Sequence, residues 1–281
     1  TIYEAPISFN KEKLDERVLN FFKIKSKNKV DLLPWKKITN LVLNTKNKVN
    51  IAIIGKYVEL KDAYKSLDEA LTHGGIDNNL KVNLIRIESD NLKMNDIRQK
   101  LKNVSGILIP GGFGKRGIVG KINSIKFARE NNIPFLGICF GMQLAVIEYA
   151  KNVANINNAS SSEFNNKKSE NIIGLMTEWI KDGKQVKRSI YTDYGGSMRL
   201  GSYKCYLKKK SLIHKIYNKE IIEERHRHRY EMNIKYEALF KKNGMIISGK
   251  SPDGMLPEII ELPKHNWYIG VQFHPELSSQ P

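Results

Sequence analysis

Cysteine is scarce in this sequence, because the 281 residues contain only Cys139 and Cys205. Two cysteines in a chain of this length do not make a disulfide scaffold, and an intracellular, reducing, cytoplasmic location fits this usage best. Neither cysteine belongs to a CxxC pair, so we expect no metal site.

Long apolar runs are missing as well. No stretch approaches about 18 consecutive apolar residues, the length that a membrane-spanning helix needs. The first residues lack the charged-then-apolar pattern of a secretory signal. We therefore expect no membrane partner. The start at Thr1 predicts that the sequence is a fragment of something longer.

Acidic residues are few, since 29 Asp and Glu stand against 47 Lys and Arg, for a net charge of +18. This excess of positive charge suggests nucleic-acid binding, and a basic nucleic-acid-binding module with a structural cysteine stays open as an alternative function. The lysines, however, are dispersed among asparagines, as in KIKSKNKV and LNTKNKVN. A nucleic-acid site needs them clustered on one face. We expect no specific nucleic-acid partner, and attraction of anionic small molecules such as nucleotides is equally compatible.

Strand patterns alternate with helix patterns from Val49 onward, and hydrophobic residues make up 41% of the chain. VNIAIIG, KVNLIRI, SGILIPGG and PFLGIC are apolar runs typical of buried strands, and helical segments lie between them. The succession predicts an α/β fold with a doubly wound, mostly parallel sheet flanked by helices. Shorter alternating segments after Ala150 predict an antiparallel edge. The Asn/Ser/Lys-rich residues 152–172 predict a loop.

Residues 1–48 differ from the rest of the chain. They contain two short amphipathic helices, separated and followed by Lys/Asn-rich breaks. The second helix opens with Asp31 and carries Pro34 in its first turn. We interpret 1–48 as a tail or linker and 49–281 as the main domain.

Cys139 lies at the end of a predicted strand, inside the pentapeptide GICFG. GxCxG is the cysteine counterpart of the GxSxG nucleophile elbow, in which small residues flank a sharp strand-to-helix turn. The N-terminus of the following helix favours thiolate, and the N–H of Phe140 is free to stabilise an oxyanion. The pentapeptide alone is equally compatible with a buried, inert cysteine. For Cys205 we expect simple packing.

A cysteine nucleophile needs a histidine partner, and His274 is the best placed of the six histidines. It follows the apolar strand WYIGVQF in the sequence QFHPEL. Glu276 comes two residues later and projects to the same side of an extended segment, so it can orient the imidazole and favour its protonated form. Taken alone, HPE is also compatible with an exposed turn.

Three motifs in this order, PGGFGKRG, GICFGMQ and VQFHPE, resemble the class I glutamine amidotransferases, which have a flavodoxin-like fold. The resemblance implies that Cys139 is the nucleophile, His274 the general base and acid, and Glu276 the orienting carboxylate. The short motifs alone leave several members open, such as GMP synthase. Long segments, including ERHRHRYEMN, narrow the resemblance to members that aminate a pyrimidine nucleotide.

The resemblance also implies a glutamine pocket. Glu163 would hold the substrate ammonium, and Arg229 would line the pocket. The remaining residues implied are Gly111, Gly112, Phe140, Gly141, Met142 and Gln143. The stretch around Arg229 has two other interpretations, a solvated basic strand and a metal site formed by its two histidines.

Partners follow from the same resemblance. It implies L-glutamine as the substrate and a synthetase domain of the same polypeptide as the acceptor of ammonia. ATP and Mg²⁺ would bind in that other domain, GTP would be an allosteric activator, and the full enzyme would be a homotetramer. For this domain itself the resemblance implies no cofactor. Residues 181–201 correspond to the lid of the family.

Overall fold

The computed structural model describes residues 1–26, 28–58, 60–90, 92–164, 168–175, 178–181, 184–187 and 198–281. These residues divide into two compact units. The first comprises residues 1–49, 67–83 and 279–281, and the second comprises 50–66 and 84–278. The segment 1–48 lies within the first unit, and its role as a tail or linker stays a prediction. Within the expected lid segment, residues 182–183 and 188–197 lie outside the described residues.

The first unit is built mainly from helices around Tyr3. Tyr3 is buried, its hydroxyl donates to Glu69 Oε2 at 2.8 Å, and its carbonyl accepts from Thr39 Oγ1 at 3.2 Å. Asp31 Oδ1 accepts the N–H of Leu33 at 2.9 Å, which satisfies a free donor where a helix begins. The helices are α1 (Ala5–Lys11), α2 (Leu14–Phe21), α3 (Leu33–Asn44) and α4 (Lys65–Asp77).

The remaining helices and the strands follow in chain order. The helices are α5 (Met94–Lys100), α6 (Ile118–Glu130), α7 (Phe140–Asn152), α8 (Leu212–Tyr217) and α9 (Glu237–Asn243). The first seven strands are β1 (Lys48–Gly55), β2 (Lys81–Glu88), β3 (Gly106–Ile109), β4 (Phe135–Ile138), β5 (Ala159–Ser161), β6 (Glu170–Leu175) and β7 (Glu178–Lys181). The others are β8 (Lys184–Lys187), β9 (Arg199–Leu207), β10 (Ile221–His228), β11 (Tyr230–Met232), β12 (Ile246–Lys250), β13 (Pro257–Glu261) and β14 (Tyr268–Val271).

The main sheet has the strand order β10-β9-β12-β13-β14-β4-β3-β1-β2. Strands β1, β3, β4 and β14 pair in parallel, whereas β14, β13, β12, β9 and β10 pair in antiparallel fashion. This arrangement confirms the predicted α/β sheet with an antiparallel edge. It also brings the carboxyl ends of β3, β4 and β14 side by side, which is where ligands bind in such sheets.

The prediction of a loop over residues 152–172 is wrong in part. Strand β5 and the start of β6 lie inside this range, and they pair in parallel. Ile172 and Ile173 are completely buried, and β6 also pairs with β11. Pairing with a distant strand therefore overrides the local preference of an Asn/Ser-rich sequence. Residues 165–167 of this range lie outside the described residues.

Over the described ranges, no helix combines the length and the hydropathy needed to cross a bilayer.

Helices α6 and α7 are joined by a buried ion pair. Glu148 on α7 is completely buried, and its two carboxylate oxygens accept from Arg129 Nη2 at 2.7 Å and from Arg129 Nε at 2.9 Å. Asn152 Nδ2 donates to the same carboxylate at 3.1 Å. A buried carboxylate needs such partners, so we expect this pair to hold α7 against α6.

Replacing Arg129 with methionine should lower the free energy of unfolding by about 3–5 kcal/mol, because Glu148 would stay buried without its cation. Lys126→Met is a matched control on the same helix, since Lys126 and Glu130 are 3.9 Å apart and partly exposed. The control should cost less than about 0.5 kcal/mol. Denaturant titration followed by circular dichroism measures both values, and equal effects would contradict the assignment.

Candidate active site

The chain makes a sharp turn at Cys139, between the end of β4 and the start of α7. Cys139 has φ of +51°, a backbone conformation that non-glycine residues rarely adopt, and its N–H donates to the carbonyl of Val271 at 2.7 Å. A Cβ at Gly141 would collide with the carbonyl oxygen of Ile109, and one at Gly137 would lie 2.8 Å from the carbonyl carbon of Gly141. Close packing of α7 on β3 and β4 therefore explains both glycines of the GxCxG pattern.

His274 lies beyond the end of β14, the neighbour of β4 in the sheet. Its N–H donates to the carbonyl of Arg225 at 2.8 Å, and its ring Nδ1 is 2.8 Å from Glu276 Oε1. A Cβ at Gly111 would lie 2.8 Å from His274 Cε1 and 3.7 Å from the Cβ of Cys139. The imidazole and the cysteine thus meet beside Gly111, where any side chain would displace the ring.

The charge on His274 responds to both of its neighbours. Burial lowers the pKa of the imidazole, but interaction with Cys139, followed by interaction with Glu276, raises it to about 10. The second ring nitrogen, Nε2, is buried and makes no formed hydrogen bond within the described part of the chain. The proximity of Cys139 therefore favours the imidazolium form of His274.

Two buried glutamine side chains are hydrogen-bonded to each other, and one of them contacts the sulfur. Gln143 on α7 donates from Nε2 to the carbonyl of Tyr230 at 2.8 Å and to Gln272 Oε1 at 3.3 Å. Gln272 Nε2 donates to Cys139 Sγ at 3.7 Å. Sequence reasoning missed Gln272, although it belongs to the motif VQFHPE. The available signal was its spacing of two residues from His274, which puts both side chains on one side of an extended segment.

The glycine-rich turn after β3 contacts two of the predicted pocket residues. A Cβ at Gly112 would lie 3.8 Å from Phe140 Cδ1, and the N–H of Gly114 donates to Glu163 Oε1 at 2.7 Å. Phe140 is the first residue of α7, where backbone N–H groups have no partner within the helix. The structure thus places Gly112, Phe140 and Glu163 around this turn.

The other predicted pocket residues have different surroundings. Met142 is completely buried, and a Cβ at Gly270 would lie 3.0 Å from its Cγ, so its side chain is part of the core. Arg229 is half-buried between β10 and β11. Its Nε is buried and has no hydrogen-bond partner among the described residues. Arg229 can therefore donate a hydrogen bond to an anionic group.

The stretch before Arg229 is neither a fully solvated basic strand nor a recognisable metal site. Along β10 the residues alternate, so that Arg225 and Arg227 are exposed while His226 and His228 are buried. Burial lowers the pKa of both histidines well below its usual value, which keeps them neutral. Among the described residues, no group of three His, Cys, Asp or Glu side chains could hold a metal ion.

The two histidines belong to a buried cluster around Arg199. Arg199 Nη1 donates to Glu258 Oε1 at 2.6 Å and to Glu231 Oε1 at 3.3 Å, and His226 Nδ1 is 2.9 Å from His228 Nε2. Burial raises the pKa of Glu258 to about 7, although Arg199 opposes this change. The cluster links β9, β10, β11 and β13 through contacts between their buried side chains.

Comparison with known proteins agrees with this geometry. Residues 59–281 match the family described as Glutamine amidotransferase class-I. The solved glutaminase domain of Trypanosoma brucei CTPS, with bound acivicin, is 35% identical with a TM-score of 0.73. That likeness covers 82% of this chain and 86% of the trypanosomal chain.

Two curated relatives of this chain are CTP synthases. CTP synthase of Pelagibacter ubique (strain HTCC1062) is 66% identical over 281 residues, and CTP synthase of Rhizobium johnstonii is 53% identical over 280 residues. Each alignment covers all of this chain but 52% of the relative, so the chain spans about half the length of the curated relatives it matches. These findings confirm the resemblance that the motifs indicate. The chain belongs to the class I glutamine amidotransferases, and within them it is a glutaminase domain of the CTP synthase kind.

Proposed function

We propose that this domain hydrolyses L-glutamine with a catalytic triad of Cys139, His274 and Glu276. One observation carries the proposal: a buried cysteine at a helix N-terminus lies beside an imidazole that is bonded to a carboxylate. A thiolate–imidazolium pair in such a setting is a strong nucleophile for an amide carbon.

The reaction would proceed through a glutamyl thioester. The Cys139 thiolate attacks the side-chain amide carbon of glutamine, and the N–H groups of Gly112 and Phe140 stabilise the oxyanion. The carbon–nitrogen bond then breaks as the His274 imidazolium gives its proton to the departing ammonia. His274 next takes a proton from water, which attacks the thioester, releases glutamate and restores the thiolate.

The substrate would be held by opposite charges at its two ends. Glu163 Oε1 is bonded to Gly114, so its second oxygen is available for the ammonium group of glutamine. Arg229, whose buried Nε has no hydrogen-bond partner among the described residues, would bind the α-carboxylate. The remaining pocket wall would comprise Gly111, Gly112, Phe140, Gly141, Met142 and Gln143, with only the backbone of Met142 and Gln143 contributing, because both side chains are buried elsewhere.

The ammonia would serve a synthetase domain of the same polypeptide. Support comes from the curated relatives, which are CTP synthases of about twice the length of this chain. We propose that the whole enzyme is cytoplasmic and homotetrameric. It would aminate UTP to CTP with ATP and Mg²⁺ bound in the other domain and with GTP as an allosteric activator.

A chloroketone analogue of L-glutamine should label Cys139 and leave Cys205 unmodified. Cys205 is completely buried, and burial raises the pKa of its thiol, so it has little reactive thiolate. Peptide mass spectrometry locates the adduct. Cys139→Ala and His274→Ala should both lose the label and the glutaminase activity. The matched control Cys205→Ala should keep both, and an adduct found on Cys205 would contradict the proposal.

Replacing Glu276 with glutamine should lower the pKa of His274 below its value of about 10. The imidazolium loses a carboxylate 2.8 Å away, so the thiolate–imidazolium pair is less populated at pH 7. We expect kcat/KM to fall about 10- to 100-fold, because each pKa unit lost by His274 makes the ion pair about tenfold less stable relative to the neutral pair and the ring also loses the carboxylate that orients it.

An NMR titration of the His274 ring in both proteins checks this sign. The ring should stay protonated to higher pH in the unmodified protein than in Glu276→Gln. Glu220→Gln is the control, because Glu220 is exposed and pairs with Lys209 at 2.8 Å. An unchanged titration in Glu276→Gln would show that Glu276 does not act on the ring.

Arg229→Met should raise KM for glutamine about 10- to 100-fold with a smaller change in kcat, because a charged hydrogen bond contributes roughly 1.5–3 kcal/mol. Alkylation of Cys139 by iodoacetamide, which has no α-carboxylate, should keep its rate. Arg227→Met is a matched control on the exposed face of β10. If iodoacetamide also reacts more slowly in Arg229→Met, the substitution has disturbed the nucleophile and not the pocket.

A further inference from the structure

We propose that Gln272 is a positioning residue that holds the sulfur of Cys139 as a thiolate through its side-chain N–H group. This inference rests on the proposed role of Cys139 as the nucleophile. Gln272 would be a second side-chain donor to the sulfur beside His274, and a Cys–His–Glu triad alone does not imply such a donor.

The register of the sheet brings Gln272 to the nucleophile. Strands β4 and β14 pair in parallel with Ile138 opposite Val271, so the next residues along the two strands are Cys139 and Gln272. The N–H of Cys139 donates to the carbonyl of Val271, which extends this pairing to the turn. Gln272 and His274 both reach the cysteine, since Gln272 Nε2 lies 3.7 Å from Cys139 Sγ and the His274 ring lies with Cys139 Cβ beside Gly111.

A backbone carbonyl determines which end of the Gln272 amide faces the sulfur. The carbonyl of Tyr230 can only accept, so the group of Gln143 that lies 2.8 Å from it must be the NH₂ group. That same NH₂ group lies 3.3 Å from the end of Gln272 that faces it, which must therefore be the oxygen. The remaining end of Gln272, 3.7 Å from Cys139 Sγ, is then necessarily a donor.

A donor in this position favours the ionised form of cysteine. Gln272 is completely buried and Cys139 is 5% exposed, so water does not compete for the N–H group. A neutral thiol is a weak acceptor, whereas a thiolate accepts a charge-assisted hydrogen bond. The bond from Gln143 holds the oxygen end of the Gln272 amide away from the sulfur, so the Gln272 N–H points at the sulfur and lowers the free energy of the thiolate.

The pH profile of Cys139 alkylation by iodoacetamide in the full chain tests this inference, with peptide mass spectrometry to separate Cys139 from Cys205. Gln272→Met keeps the length of the side chain but removes the donor. In this variant the midpoint of the alkylation profile should rise by about one pH unit, and kcat/KM should fall about tenfold. KM should change little, because Gln272 acts through the sulfur. Gln272→Glu places an acceptor against the thiolate and should raise the midpoint further. The exposed Gln99→Met is the matched control and should behave as the unmodified protein.

The outcomes separate this inference from the proposed function. If the midpoint is the same in the unmodified protein, Gln272→Met and Gln272→Glu, Gln272 does not hold the thiolate and the inference is overturned. If Gln272→Met does not fold, as judged by circular dichroism, the isosteric Gln272→Glu decides. If the Gln272 substitutions shift the midpoint of alkylation while the unmodified protein neither hydrolyses glutamine nor takes the chloroketone label, the inference about Gln272 holds and the proposed function is refuted.

Discussion

The turn at Cys139 is the constraint on which the site depends. A positive φ at a non-glycine residue is strained, and it persists only where the surrounding structure holds it. Here the contact of Gly141 with the carbonyl of Ile109 and the bond from Cys139 N–H to Val271 provide that support. The same turn exposes the first N–H groups of α7 and places the sulfur at the positive end of that helix. One packing requirement thus determines the nucleophile, an oxyanion donor and the local field together.

The histidine is positioned by different means, through hydrogen bonds to two antiparallel strands. The N–H of His274 donates to Arg225 on β10, and the N–H of Gln272 donates to Glu258 on β13, both at 2.8 Å. Behind these strands, Arg199 joins Glu258 to Glu231 in a buried cluster. Buried ion clusters contribute little net stability because desolvation offsets attraction, but an unpaired member is costly. We infer that the cluster fixes the position of β10 relative to β13, although β9 and β12 lie between them in the sheet.

Local pattern was sufficient to predict part of this arrangement. The parallel strands were predictable because buried apolar runs repeat between helical segments, and Cys139 was predictable because close packing requires glycines around it. The role of Arg199 was not predictable, since it depends on which strands pair, and the spacing of Gln272 from His274 did not by itself show that Gln272 reaches the sulfur. His226 and His228 look like members of a basic run, yet strand alternation buries them. Residues 170–173 pair with strands that local propensity does not indicate.

Burial of the nucleophile explains why several donors converge on it. An apolar environment disfavours a thiolate, so the charge must be balanced by groups already in place. The N-terminus of α7 and the imidazole of His274 provide balance, and each is stronger away from water. The position of His274 depends on the register of β14. A slip of one residue would bring Phe273 opposite Cys139 and turn Gln272 and His274 to the other face of the sheet. The chemistry of the triad is therefore a property of strand pairing as much as of the three residues themselves.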